Sequence, residues 1–287
     1  MLEPASTPQS THPDAAPSAT AHPEPAPPEG HNATAHNATA HNVTAHSAAR
    51  HNATRHNATR RAATAHTDVV VIGGGASPPQ ALRALLPPAD QVVCADRGYA
   101  HALALGLTPT VLIGDFDSLA PVDLDRARAA GVTVEAHSPE KDATDLELAL
   151  DRAVTSQSGE LRITVVATPD VDERIDHLLS QLALLAAPKY AHAELLAWFG
   201  SACVQIVHPT REVAVHGRPG ELVTLLAIGS EARGVSTAGL TYPLRDESLS
   251  PFSTRGVSNL LSGTSATISV TAGCLAIVRP HALEDHS

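Results

Sequence analysis

The chain has 287 residues, a formal net charge of −11, 43% apolar residues and only 2% aromatic residues. A chain this acidic is a poor binder of nucleic acid, because the phosphate backbone repels it. The sequence contains neither a secretory leader nor a run of about 18 apolar residues, so we expect a cytoplasmic protein that does not enter a membrane. Cys94, Cys203 and Cys274 lie in apolar runs without Cys-x-x-Cys spacing, which argues against a disulfide framework and favours a reducing compartment.

Residues 1–66 have a composition of their own, rich in Ala, Thr, Pro, His and Asn and almost without large apolar side chains. From His31 to Arg60 the sequence repeats every five residues, beginning as His-Asn-Ala-Thr-Ala. A five-residue period matches neither a helix nor a strand, so we predict a disordered low-complexity tail. Weak metal binding by the spaced histidines is an alternative.

From residue 67 onwards, predicted strands alternate with predicted helices, which is typical of an α/β layer with a mainly parallel sheet. Strands are predicted at 69–72, 91–95, 111–113, 132–135 and 161–167, and helices near 81–85, 99–105, 122–130, after 144 and after 173. The first strand runs into Gly73, Gly74 and Gly75, which suit either a phosphate cradle or a tight turn.

After residue 193 the pattern changes to short strands without intervening helices, predicted at 195–199, 203–207, 213–216, 222–228, 266–270 and 274–278. A boundary near His208 then gives an α/β domain at 67–208 and a small all-β sandwich at 209–287. Tyr242 lies in a loop between Gly239 and Pro243, where its ring suits either stacking on a flat ligand or filling the core.

Asp115 and Asp117 follow the predicted strand at 111–113 directly. Residues two apart in an extended segment point to the same side, so we expect their oxygens to lie together. Two carboxylates about 4 Å apart repel by roughly 4 kcal/mol at an effective dielectric near 20, and a hard divalent cation such as Mg²⁺ turns that repulsion into binding. The alternative is a loop whose aspartates cap turns and face water.

Other charged residues follow neighbouring predicted strands. Asp96 follows the strand at 91–95, whereas Lys141 and Asp145 lie after the strand at 132–135. Thr144 and Glu147 form a capping box, so a helix starts there with Asp145 in its first turn. A first-turn aspartate often only complements the helix dipole. Since open α/β sheets bind ligands beyond the carboxyl ends of their strands, we predict that these residues share one site with Asp115.

The helix after residue 173 has a predicted buried stripe of Ile175, Leu178, Leu179, Leu182 and Leu185. That stripe leaves Arg174, Asp176, His177 and Gln181 on other faces. The planar guanidinium of Arg174 suits recognition of a polyphosphate, because it can donate two hydrogen bonds to one group. A solvated helix start is the alternative.

Six motifs in the same order and spacing across residues 68–278 resemble those of thiamine pyrophosphokinases. They are Asp96-Arg97-Gly98, Gly114-Asp115-Phe116-Asp117-Ser118, Lys141-Asp142-Ala143-Thr144-Asp145, Arg174-Ile175-Asp176-His177, Gly239-Leu240-Thr241-Tyr242-Pro243-Leu244 and Ser258-Asn259. The resemblance implies an α/β catalytic domain, a β-sandwich thiamine-binding domain and a homodimer with active sites between subunits. It also implies the conversion of thiamine and ATP to thiamine diphosphate and AMP.

The same resemblance implies roles for individual residues. The metal ligands for Mg²⁺ would be Asp96, Asp115, Asp117 and Asp145. The catalytic residues would be Asp115, Asp117, Lys141, Asp145 and Arg174. ATP, the co-substrate, would be bound by Asp96, Lys141, Thr144, Arg174, Asp176 and His177. Thiamine would stack on Tyr242, with Ser258 and Asn259 beside it.

The sequence departs from the family in three places, and two other functions stay open. Arg97 stands where the family usually has glycine, Gln181 stands where it usually has asparagine, and residues 169–173 replace a glycine-rich turn. A diphosphokinase for another heterocyclic alcohol, such as a hydroxymethylpterin, is one alternative; the retained Tyr242 and Asn259 motifs argue against it. A non-catalytic thiamine-binding homologue is the other, and the retained acids argue against it.

Overall fold

A computed structural model describes residues 66–155, 159–168, 174–209 and 211–284. Except for His66, the predicted tail at 1–66 lies outside the described residues, as do residues 169–173. Within the described ranges, no helix is long and apolar enough to cross a membrane.

Strands and helices alternate through the first part of the described chain, and strands follow one another in the second. The strands are β1 His66–Gly75, β2 Gln91–Ala95, β3 Val111–Gly114, β4 Thr133–Ala136, β5 Glu160–Thr168, β6 Ala193–Phe199, β7 Ala202–Val207, β8 Glu212–His216, β9 Leu222–Ala227, β10 Ala232–Ala238, β11 Glu247–Leu249, β12 Asn259–Leu260, β13 Ser265–Ser269 and β14 Leu275–Arg279. The α-helices are α1 Gly98–Ala104, α2 Pro121–Ala129, α3 Asp145–Thr155 and α4 Ile175–Leu185.

A ten-stranded sheet with the order β12-β9-β14-β7-β6-β5-β1-β2-β3-β4 organises the molecule. Strands β1 to β6 pair in parallel, whereas β7, β14, β9 and β12 continue the sheet in antiparallel pairing. A four-stranded sheet, β11-β10-β13-β8, makes the second layer of the antiparallel part. The predicted fold class, a mainly parallel α/β part followed by an all-β part, is therefore confirmed.

The central strand β1 is buried on both faces, as parallel strands between two helical layers must be. Val69 and Val71 pack in one core with α3, while Val70 and Ile72 pack in a second core with α1. All four side chains are fully buried. Because successive residues of a strand point to opposite faces, this apolar run holds both layers to the sheet.

The antiparallel part has its own core, shared between its two sheets. Val223, Leu225 and Ile277 from the long sheet pack with Val215 and Ile268 from the four-stranded sheet. The long sheet itself is continuous, since β6 pairs with β7. The domain boundary at residue 208 therefore stays a prediction.

Two local predictions are wrong. The predicted helix near 81–85 is a 3-10 turn, Gln80–Ala84, because Pro78 and Pro79 before it and Pro87 and Pro88 after it leave no room for a longer helix. The predicted buried stripe of α4 is also wrong.

Helix α4 exposes much of its apolar surface. Ile175 and Leu179 are 59% and 62% exposed, Leu178 and Leu182 are half-buried, and among the five predicted stripe residues only Leu185 is buried. The reason is the orientation of the helix, which turns Arg174, His177 and Gln181 towards a cavity instead. The apolar residues on its other side then face outwards.

Candidate active site

A cavity of about 560 Å³ lies at the carboxyl ends of the parallel strands. Its walls include the glycine segment Gly73–Gly75 after β1, Asp96 and Arg97 after β2, and Thr144 and Asp145 at the start of α3. Arg174, the residue before α4, and the α4 residues His177, Ser180 and Gln181 complete it. The prediction of a ligand site at this edge of the sheet agrees with the position of the cavity.

Three carboxylates form a cluster beside this cavity. Oxygens of Asp96, Asp115 and Asp145 all lie within 4.8 Å of one another. They come from the end of β2, the end of β3 and the first turn of α3. Asp96 is buried, and its Oδ1 accepts a hydrogen bond of 3.0 Å from the backbone N–H of Phe116.

The backbone around the cluster is shaped to bring the acids together. A Cβ at Gly114 would lie 2.1 Å from Oδ1 of Asp96 and 3.3 Å from Oδ1 of Asp145, so only glycine fits between them. Asp96 and Phe116 both have positive φ, 46° and 63°. Aspartate tolerates this region, but a phenylalanine there is strained, which is common at functional sites.

Lys141 is the counter-ion of the cluster. Its Nζ lies 2.8 Å from Oδ2 of Asp115 and 2.8 Å from Oδ1 of Asp145. The bond from Lys141 lowers the pKa of Asp115. Burial by itself lowers the pKa of Lys141, but the two carboxylates outweigh it and keep the ammonium charged. Burial and the adjacent Asp145 raise the pKa of Asp96 to about 7.

The donor set fits a hard divalent cation. Oδ1 of Asp145 is buried and makes no hydrogen bond, although it is close to the ammonium of Lys141. A buried carboxylate oxygen is costly unless a donor or a cation satisfies it, and here the lysine ammonium at 2.8 Å is that cation. The three carboxylates of the cluster together carry more negative charge than one lysine balances, and oxygen ligands of this type suit Mg²⁺.

Asp117 lies next to the cluster without belonging to it. Its backbone N–H donates to Oδ1 of Asp115 at 3.3 Å, and its exposed side chain lines the cavity. The extended geometry expected for Asp115 and Asp117 is wrong, because β3 ends at Gly114 and Phe116 has positive φ. A role for Asp117 as a metal ligand stays a prediction.

Thr144 and Arg174 are held by local bonds. Oγ1 of Thr144 accepts the backbone N–H of Glu147 at 3.2 Å, which confirms the Thr144 half of the predicted capping box. The side chain of Glu147 pairs with Lys189 instead. Asp176 is exposed and accepts two bonds from Arg174, of 3.1 and 3.0 Å. The guanidinium of Arg174 also contacts His177. Asp176 therefore orients Arg174, whereas Arg174 and His177 themselves face the cavity.

The residues predicted to bind thiamine form a separate group. Buried Asn259 holds the backbone of Tyr242 through two bonds, of 3.0 Å to its N–H and 2.7 Å to its carbonyl. The Tyr242 side chain is 64% exposed, so it does not fill the core. Ser258 is exposed at a φ of 62°, and its N–H donates to Thr224 Oγ1 at 3.1 Å.

This group is far from the carboxylate cluster within one chain. Asn259 lies on β12 at one edge of the long sheet, seven strand positions from β2, which ends at Asp96. At a spacing of about 4.8 Å between strands, the distance along the sheet is roughly 34 Å, and Tyr242 is not among the residues that line the cavity. One chain alone therefore does not bring Tyr242 to the cavity.

Sequence reasoning missed the special role of Gly114. The available signal was a glycine between a buried strand and an aspartate, but its close contact with Asp96 depends on how three strands meet. It also missed Phe252, which is 98% exposed although the chain has few aromatic residues.

A parallel sheet with a glycine segment, a carboxylate cluster and basic groups at its carboxyl edge is typical of metal-dependent phosphotransfer enzymes. Two family profiles match the chain, "Thiamin pyrophosphokinase, catalytic domain" over residues 82–197 and "Thiamin pyrophosphokinase, vitamin B1 binding domain" over residues 205–275. The chain belongs to the thiamine pyrophosphokinase family.

Individual relatives agree with this assignment. The thiamine pyrophosphokinase of Bacillus subtilis (strain 168) is 26% identical over 184 residues, which cover 64% of this chain and 84% of the relative. The crystal structure of the enzyme from B. subtilis has a TM-score of 0.63 at 25% identity and covers 74% of this chain and 98% of that chain. The structure of the Geobacillus thermodenitrificans enzyme has a TM-score of 0.60 at 28% identity, with 74% and 97% coverage.

Proposed function

We propose that this protein transfers a diphosphoryl group from ATP to the hydroxyl of thiamine and releases AMP. The observation that carries the proposal is the cluster of Asp96, Asp115 and Asp145 within 4.8 Å beside a glycine-lined cavity. Family membership supports the same reaction.

The reaction needs positioning and charge neutralisation more than covalent chemistry by the protein. The thiamine hydroxyl oxygen forms a bond to the β-phosphorus of ATP while the bond to the α-phosphate oxygen breaks and AMP leaves. Asp96, Asp115 and Asp145 would hold Mg²⁺, with Asp117 at the edge of the site. When bound, Mg²⁺ supplies positive charge at the phosphate oxygens.

The chain's own residues supply the remaining functions around the phosphates. Lys141 is close enough to the cluster to move from the carboxylates to a phosphate oxygen, with its ammonium still charged. Arg174 is oriented by Asp176 and presents its guanidinium to the cavity. Gly73, Gly74 and Gly75 have no side chains, so a phosphate can approach their backbone closely.

The thiamine site would be built around Tyr242. Its exposed ring gives a flat surface for stacking, and Asn259 fixes the backbone beneath it. The match of residues 205–275 to a vitamin B1 binding domain supports thiamine over a hydroxymethylpterin. Ser258 lies next to Asn259 and would contact the bound ring.

We further propose a homodimer in which Tyr242 of one subunit completes the cavity of the other. The separation of roughly 34 Å within one chain supports this arrangement. The two half-sites are then the cavity with its carboxylate cluster and the group around Tyr242. Apolar side chains near both are exposed, namely Ile175 and Leu179 on α4 and Phe252 and Val257 near Ser258. A subunit interface would cover such patches.

A cytoplasmic location is part of the proposal. Cys94, Cys203 and Cys274 are free and buried, and burial raises the pKa of each thiol. Reduced thiols of this kind are usual in a reducing compartment.

Formation of AMP from ATP and Mg²⁺, with and without thiamine, tests the proposed activity. We expect AMP and thiamine diphosphate to appear together and only when thiamine is added. AMP formation at the same rate with and without thiamine would contradict the proposal.

A further inference from the structure

The cavity contains few cations that are free to bind a polyphosphate. Its charged walls include Asp96, Asp117 and Asp145. The guanidinium of Arg174 is already paired with Asp176, and the ammonium of Lys141 is paired with two carboxylates. A nucleoside triphosphate is strongly anionic, so its binding requires positive charge that is not already neutralised.

Arg97 supplies such a charge. It lines the cavity and is exposed, and its guanidinium makes no hydrogen bond or ion pair within the part of the chain that the structure describes. Its positive charge also acts on the protein interior, where it contributes to lowering the pKa of buried His101. A solvated guanidinium of this kind loses no existing partner when an anion binds.

The position of Arg97 is fixed by the backbone. It follows the buried Asp96 and precedes Gly98, where a Cβ would lie 2.1 Å from the carbonyl oxygen of Ile72. The start of α1 is therefore packed directly against the end of β1. A Cβ built at Gly74 would be 4.0 Å from the Cβ of Arg97, so the arginine side chain starts directly beside the glycine segment.

Arg97 and Arg174 flank the glycine segment. Arg97 follows β2 and Arg174 precedes α4, the helix after β5, while β1 lies between β2 and β5 in the sheet. The two strand ends are therefore about 10 Å apart, which the two long side chains can span from either side of a phosphate chain. A guanidinium can donate two hydrogen bonds to one phosphate.

The geometry points to Arg97 as a substrate-binding residue that holds the phosphate chain of the nucleotide on the Gly74 side of the cavity. This inference rests on the proposed function and adds a residue and a role to it. Arg97 touches the phosphates, whereas the base and ribose lie elsewhere, so its contribution depends on the number of phosphates in the ligand.

The test is the binding of ATP and of adenosine to the full chain in the presence of Mg²⁺, measured by calorimetry. We expect Arg97→Gln to weaken ATP binding by about tenfold or more and to leave adenosine binding unchanged, since bonds to charged groups are strong. Arg97→Lys should restore part of the loss. Arg128→Gln, the same change of charge on an exposed arginine of α2, is the matched control and should bind ATP like the wild type.

The outcomes separate this inference from the proposed function. Unchanged ATP affinity in Arg97→Gln, with thiamine-dependent AMP formation by the wild type, would overturn the inference alone. Weakened ATP binding in Arg97→Gln without thiamine-dependent AMP formation by the wild type would support Arg97 and overturn the proposed acceptor. A wild-type protein that binds no ATP would overturn both.

Discussion

Nζ of Lys141 lies 2.8 Å from Oδ2 of Asp115 in an ion pair that is almost enclosed, with 15% and 11% of the two side chains exposed. The same ammonium reaches Asp145, so one lysine pairs with two of the three clustered carboxylates. The ammonium of Lys141 therefore occupies a position between the clustered carboxylates. A bound Mg²⁺ would therefore compete with Lys141 for the same oxygens.

The first prediction concerns Lys141→Met. Removal of the ammonium leaves the carboxylates unbalanced, so we expect a lower melting temperature without metal and a larger rise on adding Mg²⁺ than in the wild type. We expect kcat to fall by about 100-fold or more, because a charge aimed at the phosphates is lost. Thermal denaturation with and without Mg²⁺, together with steady-state kinetics, measures both effects.

Lys189→Met is the matched control for that variant. Lys189 also bridges two acids, Glu147 and Asp151, at 2.7 and 2.9 Å, but neither acid belongs to the carboxylate cluster. Its loss should leave kcat and the response to Mg²⁺ unchanged. Equal effects of the two variants would mean that Lys141 has only a structural role.

The second prediction concerns Gly114→Ala. The added methyl group would lie 2.1 Å from Oδ1 of Asp96, so the carboxylates must separate. We expect Mg²⁺ binding to weaken and kcat to fall by about 100-fold, since small displacements at a reacting centre are costly. Calorimetric titration with Mg²⁺ and steady-state kinetics measure these changes.

Gly131→Ala controls for backbone strain. Gly131 also has positive φ, 76°, but a Cβ there would meet nothing within 4 Å. This variant should lose roughly 1 kcal/mol of stability and keep its activity. A Gly114→Ala protein with normal metal binding would show that the cluster tolerates wider spacing.

The third prediction tests the shared site. Chains carrying Asp115→Asn and chains carrying Tyr242→Ala should each be nearly inactive alone. After mixing by denaturation and refolding, half of the dimers are mixed and each has one intact site, so about a quarter of wild-type activity should return. Mixing Asp115→Asn with Asp145→Asn, which alter the same half-site, should restore nothing. A failure of the first mixture to regain activity would place the whole site in one subunit.

The fourth prediction concerns pH. His101 is buried, a ring nitrogen lies 3.3 Å from the carbonyl oxygen of Gly73, and burial lowers its pKa. The unfolded chain takes up a proton near pH 6.5, while the folded chain resists it, so unfolding becomes more favourable as the pH falls below that value. Asp96 opposes this effect between pH 7.5 and pH 5, because its pKa of about 7 lets the folded chain take up a proton there that the unfolded chain does not bind. The contribution of His101 is therefore the difference between the wild type and a variant without the imidazole, measured by urea denaturation at both pH values.

His101→Gln keeps a donor for Gly73 but does not titrate. The change in stability from pH 7.5 to pH 5 should therefore be less unfavourable in this variant than in the wild type. Replacing exposed His216 with Gln should leave the wild-type change as it is. An identical pH dependence in wild type and His101→Gln would contradict the assignment.

The sequence alone predicted the parallel sheet and the meeting of Asp96, Asp115 and Asp145, because both follow from strand periodicity and from the rule that strand ends converge. It could not predict the positive φ of Phe116 or the contact at Gly114, which depend on neighbouring strands. The exposure of Leu179 could not be predicted either, since an apolar stripe indicates that a helix face is buried but not which surface covers it.

The distance between the two half-sites was equally inaccessible from sequence. Tyr242 and Asp115 both lie in loops at strand ends, but their separation follows from the strand order of the sheet. That order is set by pairing between distant segments, such as β5 with β1 and β14 with β9.

The most direct test of the central claim follows the phosphates themselves. ATP labelled at its β-phosphorus is incubated with thiamine, Mg²⁺ and the full chain, and the labelled products are separated. We predict that the label appears in thiamine diphosphate, with one AMP formed for each molecule of that product. Label in ADP or in inorganic phosphate, with no labelled thiamine diphosphate, would contradict diphosphoryl transfer at this site.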